Sequence, residues 1–453
     1  MISKYRSFFL LIIILISLGL HLFNLSFPNK AVGDEAYFST FSADYRLGKP
    51  HLDVHPPLGK LLFSLPLFFM PKEKIQNLLV IDEVKKNEDK MEIKIKNLNY
   101  DSSPYFLLRL LSAFFGVLLV FLVYLFIKIL TQKESVALLS AFFVALDNAL
   151  LVQTRLILLD GFYLVFGFLA LILFFKKKPL PIIAGLFWGL ALGVKLTAAV
   201  FLGPIILKVL LTKNEEKEEV RQKAATFFVI GIITILLIEI FGNNLFISPE
   251  KQISFYQSLK PYSFFSQIQS LANHLGSLKN IFLALFVSFY QILISFGGYT
   301  GTGDVHPQQS PWYGWPLMIK PMFYLLEKNE HLQIASVGNP VIWTLIFLSV
   351  VGGFFLIFKK NKWLENDWQM FWLLFGSYGF SFLIFTFISR TTFIYHYLPA
   401  LIFGIGLASW FIVKFLQNET KKQKIIFITL IIALTILGFL TFAPFTFGFA
   451  FKI

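Results

Sequence analysis

Two neighbouring carboxylates, Asp34 and Glu35, follow the first apolar segment of the chain by about nine residues. A carboxylate close to a membrane boundary is partly desolvated, which raises its basicity and suits it to general-base catalysis. Solvation of the membrane interface by two acidic side chains is an equally good explanation of this pair alone. The pair therefore indicates a candidate catalytic base without excluding the simpler role.

A second polar cluster follows in the segment GKPHLDVHPPLGKLLF, residues 48–63, where Asp53 and His55 precede two prolines. The prolines fix the backbone and stop a helix from running through Asp53 and His55. The apolar residues after them are typical of a helix lying in the membrane interface. A proline-capped turn would be the simplest interpretation, but the carboxylates upstream favour Asp53 and His55 as further catalytic candidates.

Two basic residues stand at the edges of apolar segments, Arg109 in YFLLRLLS and Lys195 in GLALGVKLTA. Ionisable side chains at membrane depth are costly and are usually paired or functional. Arginine offers a bidentate fork and lysine a point charge, and both geometries suit a phosphate group. We therefore expect Arg109 and Lys195 to bind the phosphate of an anionic lipid.

Other charged residues near the segment ends are less specific. Arg155 and Asp160 lie five positions apart, and a mutual ion pair is favoured over contact with a substrate. Arg155 is nevertheless a candidate for donor binding, as are Arg390 and His396 in SRTTFIYHYLPA.

A late polar segment, DVHPQQSPWYGWPL, contains His306, Trp312 and Trp315. These rings could form an ordinary interfacial aromatic belt or a wall against a sugar or peptide. Nothing in the sequence matches a phosphate-binding loop, a dinucleotide fingerprint or a zinc motif. We therefore predict no metal site. The sequence does not identify any particular cofactor.

The composition restricts the elements that can position these residues. The chain has 453 residues, of which 56% are hydrophobic and 15% charged, whereas soluble domains have about 45–50% apolar and about 25% charged residues. An ordinary soluble protein is thereby excluded. The net charge of +14 is interpreted as a record of membrane orientation and not as a nucleic-acid surface. With no cysteine, disulfides and thiolate chemistry are excluded.

Apolar segments long enough to cross a bilayer recur along the chain and predict an all-α polytopic membrane protein with about eleven transmembrane helices. With the N-terminus in the cytoplasm, every short basic loop falls on the cytoplasmic side and the C-terminus lies outside. This assignment requires 280–297 to lie along, or re-enter, the outer face. The predicted spans are 8–25, 105–127, 135–152, 157–175, 180–195, 196–212, 224–242, 340–358, 369–388, 393–416 and 425–447.

Two long extracytoplasmic loops, 26–104 and 243–339, carry most of the candidate residues. Loops of this length are usually functional or disordered, so we expect the active site at the outer face. The charged stretch 72–96 is interpreted as a solvated surface hairpin. The chain is divided into a catalytic region, 1–339, and a C-terminal four-helix region, 340–453.

The segments VGDEAYF, LDVHPPLGKLL, GLALGVK, HPQQSPWYGWPL, VGNPVIW and RTTFIYHYLPA resemble, in this order, the protein O-mannosyltransferase family, specifically its bacterial polyprenyl-phosphate-mannose-dependent members. The resemblance implies a GT-C fold with eleven spans. It implies Asp34 as catalytic base with Glu35 beside it. It also maps Asp53, Arg109 and Lys195 onto motif positions of the family. The MIR domain of eukaryotic members is absent from 243–339, and the stretch 72–96 looks longer and more charged than the family pattern.

The function implied by this resemblance is inverting transfer of one mannose from polyprenyl-phosphate mannose to Ser or Thr of exported proteins. The expected partners are the lipid donor, the acceptor proteins, the bilayer and the secretion translocon, with no nucleic acid, in the cell membrane. A GT-C enzyme that glycosylates a lipid or glycan is the alternative. A transporter is disfavoured because the chain shows no pair of related halves.

The orientation predicts that residues after Phe447 are extracytoplasmic. Because the chain has no cysteine, a single cysteine introduced there should react with a membrane-impermeant maleimide in intact cells. A cysteine introduced in the basic segment 176–178 serves as the protected control. Labelling of the control, with protection after Phe447, would show that the orientation is inverted or that a span is miscounted.

Overall fold

In its described residues, the computed structural model consists mainly of helices and has two short antiparallel hairpins. It describes residues 2–51, 53–76, 78–79, 81–87, 90–95, 103–242, 245–248, 251–254, 270–279, 281–283, 285–286, 306–327, 332–358, 367–388 and 391–449. The α-helices are α1 Ile2–Leu22, α2 Glu35–Leu47, α3 Leu58–Leu67, α4 Lys72–Gln76, α5 Ser103–Thr131, α6 Glu134–Ala145, α7 Asn148–Arg155, α8 Asp160–Phe175, α9 Pro181–Val194, α10 Leu202–Leu211, α11 Asn214–Gly242, α12 Pro340–Phe358, α13 Trp368–Leu383, α14 Leu398–Phe415 and α15 Lys421–Phe447.

Short 3₁₀ helices and four strands complete the described elements. The 3₁₀ helices are Leu196–Phe201, Gly276–Leu278, Trp312–Leu317, Ile384–Phe387, Ile394–Tyr397 and Leu416–Asn418. The strands are β1 Ile81–Asn87, β2 Lys90–Ile95, β3 Met322–Glu327 and β4 Leu332–Ser336, and each hairpin is antiparallel.

The apolar helices make the chain a multi-pass membrane protein. Among the described residues, seven helices are long and apolar enough to cross a bilayer, and α6 with α7 would make an eighth. Four shorter apolar helices, α3, α8, α9 and Leu196–Leu211, accompany them. The count of eleven spans stays a prediction, and the predicted interfacial segment 280–297 falls largely outside the described residues.

The predicted span 135–152 is not one continuous helix. The axes of α6 and α7 differ by 62°, and the break lies at Leu146 and Asp147. The Asp147 carboxylate caps α7 by accepting a hydrogen bond from Leu150 N at 3.0 Å, and it also accepts one from Trp343 Nε1 at 2.8 Å. An aspartate satisfied in this way stabilises a helix start, so the bend has a specific polar cause.

Close helix packing fixes where Lys195 emerges. Gly185 and Gly189 lie one turn apart on α9, and a Cβ at either position would come within 2.6 Å of a backbone oxygen of α11. Small residues at this spacing let membrane helices approach closely. Helix α9 also packs against α8 and α3, so its C-terminal cap, Lys195, is held against the start of α8.

The hairpins modify the predicted all-α architecture. The charged stretch 72–96 contains α4 and the β1–β2 hairpin, which confirms the predicted hairpin. The β3–β4 hairpin, at the end of the second long loop, was not predicted, and it packs against α7 and α15. A strand pair that packs on helices gains burial that no local pattern records.

Candidate active site

Glu35 and Arg109 form a bidentate ion pair at the centre of the site. Arg109 Nε donates to Glu35 Oε1 at 2.8 Å, and Arg109 Nη2 donates to Glu35 Oε2 at 2.7 Å. Glu35 is 0% exposed and Arg109 1% exposed. A pair so completely buried is stable only if its remaining hydrogen-bonding groups are also satisfied.

Backbone groups satisfy the rest of this pair. The other guanidinium N–H groups of Arg109 donate to carbonyls of the chain between α1 and α2, and the Glu35 carboxylate accepts from two backbone amides. Those carbonyls belong to Leu25, Pro28 and Lys30, and the amides to Val32 and Ile157. All five guanidinium N–H groups are thus directed at protein oxygens, whereas Arg109 was expected to bind a phosphate.

Asp34 has a different environment although it is adjacent to Glu35. It lies at the N-terminal cap of α2, but its side chain makes no capping hydrogen bond, and it is only half-buried. Burial raises the pKa of the Asp34 carboxyl to about 6; Lys195 opposes the increase, while Asp160 and Asp53 add to it. These three side chains therefore act electrostatically on Asp34, and its carboxylate is poised to accept a proton near neutral pH.

Lys195 lies against an acidic and an aromatic neighbour. Its Nζ donates to Asp160 Oδ1 at 2.9 Å, and Asp160 is the first residue of α8. The same Nζ lies 4.3 Å from the centroid of the Tyr395 ring and 5.6 Å from that of Tyr163. The ammonium group is therefore fixed in place by one carboxylate and two ring faces.

The preferred pairing of Arg155 with Asp160 is wrong. Asp160 is paired with Lys195, as described above, and Arg155 donates instead to the carbonyls of Leu20 and Phe23 at 3.0 and 2.5 Å. Its guanidinium also lies 4.5 Å from the centroid of the Phe447 ring. Arg155 therefore joins the ends of α1 and α15. Donor binding by Arg155 stays a prediction.

Asp53 and His55 share one lysine. Lys60, which is fully buried, forms an ion pair with Asp53 and donates to the carbonyl of His55 at 2.6 Å. The His55 amide donates to Asp53 Oδ1 at 3.2 Å. The segment before the prolines is therefore a compact turn held by its own hydrogen bonds. The negative charge of Asp53 raises the pKa of the Asp34 carboxyl.

The late polar segment is only partly open. His306 is exposed and touches the edge of Phe393, and Trp312 is half-buried against Phe382. Trp315 is buried, donates to Ser310 Oγ at 2.9 Å and stacks with His396. These contacts with Ser310 and His396 bury Trp315, so it is not part of an open wall against a sugar or peptide.

The predicted donor-binding residues of the next loop have different outcomes. His396 is buried, and its Nδ1 lies 3.0 Å from the carbonyl oxygen of Phe393. Its neighbour Tyr395, which the sequence analysis did not single out, contributes the ring that lies nearest Lys195 in this loop, 4.3 Å from the ammonium group. Arg390 lies outside the described residues.

The sequence analysis also missed Lys60, Tyr324 and Gln153. Lys60 carries a local signal, a lone lysine in an otherwise apolar segment, but the contact between Tyr324 and Gln153 joins distant parts of the chain. Within the described part of the chain, no group of three or more His, Cys, Asp or Glu side chains is arranged to hold a metal ion.

Comparison with known proteins identifies the family. Residues 11–255 match the family model described as dolichyl-phosphate-mannose-protein mannosyltransferase, and residues 282–452 match the C-terminal four-transmembrane region of protein O-mannosyltransferase. The chain belongs to this family. Among similar mannosyltransferases, dolichyl-phosphate-mannose–protein mannosyltransferase 1 of Candida albicans is 32% identical over 194 residues, and that of Saccharomyces cerevisiae is 31% identical over 161 residues. The alignments cover 41% and 35% of this chain but only 20% and 18% of those proteins.

Solved structures of similar fold confirm the predicted GT-C type of fold. A chain of the Saccharomyces cerevisiae Pmt1–Pmt2 complex, which is described as bound to the sugar donor, superimposes with a TM-score of 0.76 at 15% identity, covering 99% of this chain and 91% of that one. The apo oligosaccharyltransferase of Archaeoglobus fulgidus superimposes with a TM-score of 0.54 at 15% identity, covering 99% and 56%. At these identities the likeness concerns the fold.

Replacing Glu35 by alanine should strongly destabilise the protein. Loss of one partner leaves Arg109 buried without its counter-charge, which costs about 3–5 kcal/mol in comparable buried pairs. Thermal unfolding in lipid nanodiscs measures the effect, and Glu218→Ala, which removes an exposed partner of Arg221, is the control with little expected change. An equal melting temperature for Glu35→Ala and the control would contradict the central role of this pair.

Proposed function

We propose that this chain transfers one mannose from polyprenyl-phosphate mannose to Ser or Thr hydroxyls of exported proteins, at the extracytoplasmic face of the cell membrane. The observation that carries the proposal is the half-buried Asp34 carboxylate, with its raised pKa, beside the Lys195–Asp160 pair. Membership of the mannosyltransferase family supports the sugar and the protein acceptor. The bacterial origin, the translocon contact and the orientation remain predictions.

Asp34 is the general base of the proposed reaction. The acceptor hydroxyl oxygen attacks the anomeric carbon of mannose, and its proton passes to the Asp34 carboxylate. The bond between the anomeric carbon and the phosphate oxygen breaks, and polyprenyl phosphate leaves with the electron pair. This single displacement inverts the anomeric configuration. Within the described part of the chain, the Asp34 carboxylate makes no hydrogen bond with another residue, which supports its availability to the acceptor.

Lys195 is the phosphate ligand of the proposed reaction. Negative charge on the leaving phosphate increases as the sugar bond breaks, and a fixed ammonium group stabilises this charge more in the transition state than in the ground state. The contacts with Asp160 and Tyr395 hold Lys195 in position before the donor arrives. Asp160 is thus a positioning residue for the cation.

Glu35 and Arg109 have supporting roles in this proposal. Since the guanidinium N–H groups of Arg109 already reach protein oxygens, we assign Arg109 to positioning of the loop that carries Asp34, in place of phosphate binding. Glu35 orients that loop through the same ion pair. Asp53, held by Lys60, contributes negative charge that keeps Asp34 basic.

Purified full-length protein incubated with polyprenyl-phosphate mannose and Ser/Thr peptides of exported proteins tests the function directly. Mass spectrometry should find one added hexose on a hydroxyl residue, and nuclear magnetic resonance should find the inverted anomer. Addition of hexose to a lipid or glycan acceptor, with no peptide product, would favour the alternative acceptor class.

Asp34→Asn should abolish transfer while leaving donor binding nearly unchanged, because the amide keeps the size of the side chain but cannot accept the proton. General-base catalysis contributes about 10²–10⁴-fold. In the wild type, the rate should fall below a pH of about 6, where the raised pKa of Asp34 leaves the carboxyl protonated. A residual rate within a few-fold of wild type in a folded variant would refute the assignment.

Lys195→Gln should lower the turnover number by about 10²-fold or more, the scale seen when one electrostatic stabiliser is lost. Because Lys195 lowers the pKa of Asp34, the acid limb of the pH profile should also move to higher pH. Lys208→Gln, which removes a lysine from α10, is the matched control and should resemble wild type. Normal turnover with an unmoved limb would remove Lys195 from the site.

A further inference from the structure

The β3–β4 hairpin is fastened to the loop that carries Asp34. The ring of Tyr324 packs against Gly33, and Gln153 of α7 donates a hydrogen bond from Nε2 to the Tyr324 hydroxyl. Glu327, at the end of β3, forms an ion pair with Lys30. Contacts from the middle and from the C-terminal end of β3 therefore connect the second long loop with the first.

The contact at Gly33 leaves no room for a side chain. Gly33 has a φ of +51°, and a Cβ at this position would lie 2.5 Å from Tyr324 Cδ1. Tyr324 is buried and Gln153 completely so, which prevents the ring from turning aside. Since Gly33 directly precedes Asp34, the position of the ring determines how the backbone enters α2.

The ring also lies within the electrostatic field of the site. Burial raises the pKa of the Tyr324 hydroxyl well above its usual value, and Asp34, Asp160 and Tyr395 raise it further. The ionisable groups that act on Asp34 are Lys195 from the end of α9, Asp160 from α8 and Asp53 from the turn before α3; Asp34 also acts on Tyr37 of α2 and on Tyr324. The Tyr324 hydroxyl is therefore within electrostatic range of the Asp34 carboxylate, and its ring contacts the preceding residue, Gly33.

We propose that Tyr324 is a positioning residue for Asp34: its ring fixes the Gly33–Asp34 turn and excludes water from the carboxylate. The inference rests on the proposed role of Asp34 as base. It assigns a catalytic purpose to the hairpin, which touches the base loop without supplying a reacting group. The ring, and not the hydroxyl, performs this role, because the hydroxyl is engaged by Gln153.

Three variants test the proposal through turnover, donor KM and pH profile. Tyr324→Ala removes the ring, so the turnover number should fall by about 10²-fold, the cost of a displacement of about 1 Å in a catalytic group, while donor KM changes less than about threefold. Hydration of Asp34 lowers its pKa, so the acid limb should move below its wild-type position. Tyr324→Phe keeps the ring and should remain within a few-fold of wild type. Leu326→Ala, at an exposed site on the same strand, is the control.

If the acid limb of the pH profile does not move in Tyr324→Ala, the residue has only a structural role and the proposal is overturned. A loss of turnover in Tyr324→Phe as large as that in Tyr324→Ala would also overturn it. Tyr324→Leu replaces the alanine variant if the latter does not fold, with the same expected shift of the limb. Thermal unfolding of Gly33→Ala, Tyr324→Ala and the double variant measures the contact without any assay of transfer.

The two substitutions should be coupled, with Gly33→Ala costing less melting temperature once the ring is gone. Additive changes would overturn the proposal even in an active enzyme. Absence of mannose transfer by the wild type, with the coupling intact, would instead refute the proposed function and leave the contact standing.

Discussion

The buried ion pair between Glu35 and Arg109 holds the loop that carries Asp34 in place. Removing two charges from water is costly, and the cost is offset only when every donor and acceptor finds a partner. The partners here are backbone groups of residues 25–32 and of Ile157, in addition to the two side chains themselves. The requirement to satisfy one pair of charges therefore determines the path of the loop before α2 and the position of the α7–α8 connection.

The same requirement separates the roles of two adjacent carboxylates. Successive residues of a helix point about 100° apart, so when Glu35 enters the interior, Asp34 is directed elsewhere. Glu35 accepts hydrogen bonds from the Arg109 guanidinium and from two backbone amides. Within the described residues, the Asp34 side chain makes no capping hydrogen bond, and burial raises the pKa of its carboxyl. The different environments therefore leave Glu35 to hold the loop and Asp34 to serve as the proposed base.

Sequence reasoning identified the features that have a local or compositional cause. The length of the apolar segments predicted the membrane helices. The same pattern placed Lys195 at the end of a helix, and Lys195 is the C-terminal cap of α9. It failed where the partner is distant: Arg155 and Asp160 are close in sequence, yet each binds elsewhere. The contact of Tyr324 with Gly33 joins positions almost three hundred residues apart, and no periodicity or motif records it.

The proposed site couples donor binding to the basicity of Asp34. Lys195 lowers the pKa of Asp34 while Asp160 and Asp53 raise it, so the protonation of the base depends on a balance of nearby charges. A phosphate bound at Lys195 would bring further negative charge to the same place and offset the effect of the ammonium group. Asp34 would then become a stronger base when the donor is present. Since the unscreened ammonium group of Lys195 lowers the pKa of Asp34, the carboxylate would be most basic in the complex with the donor.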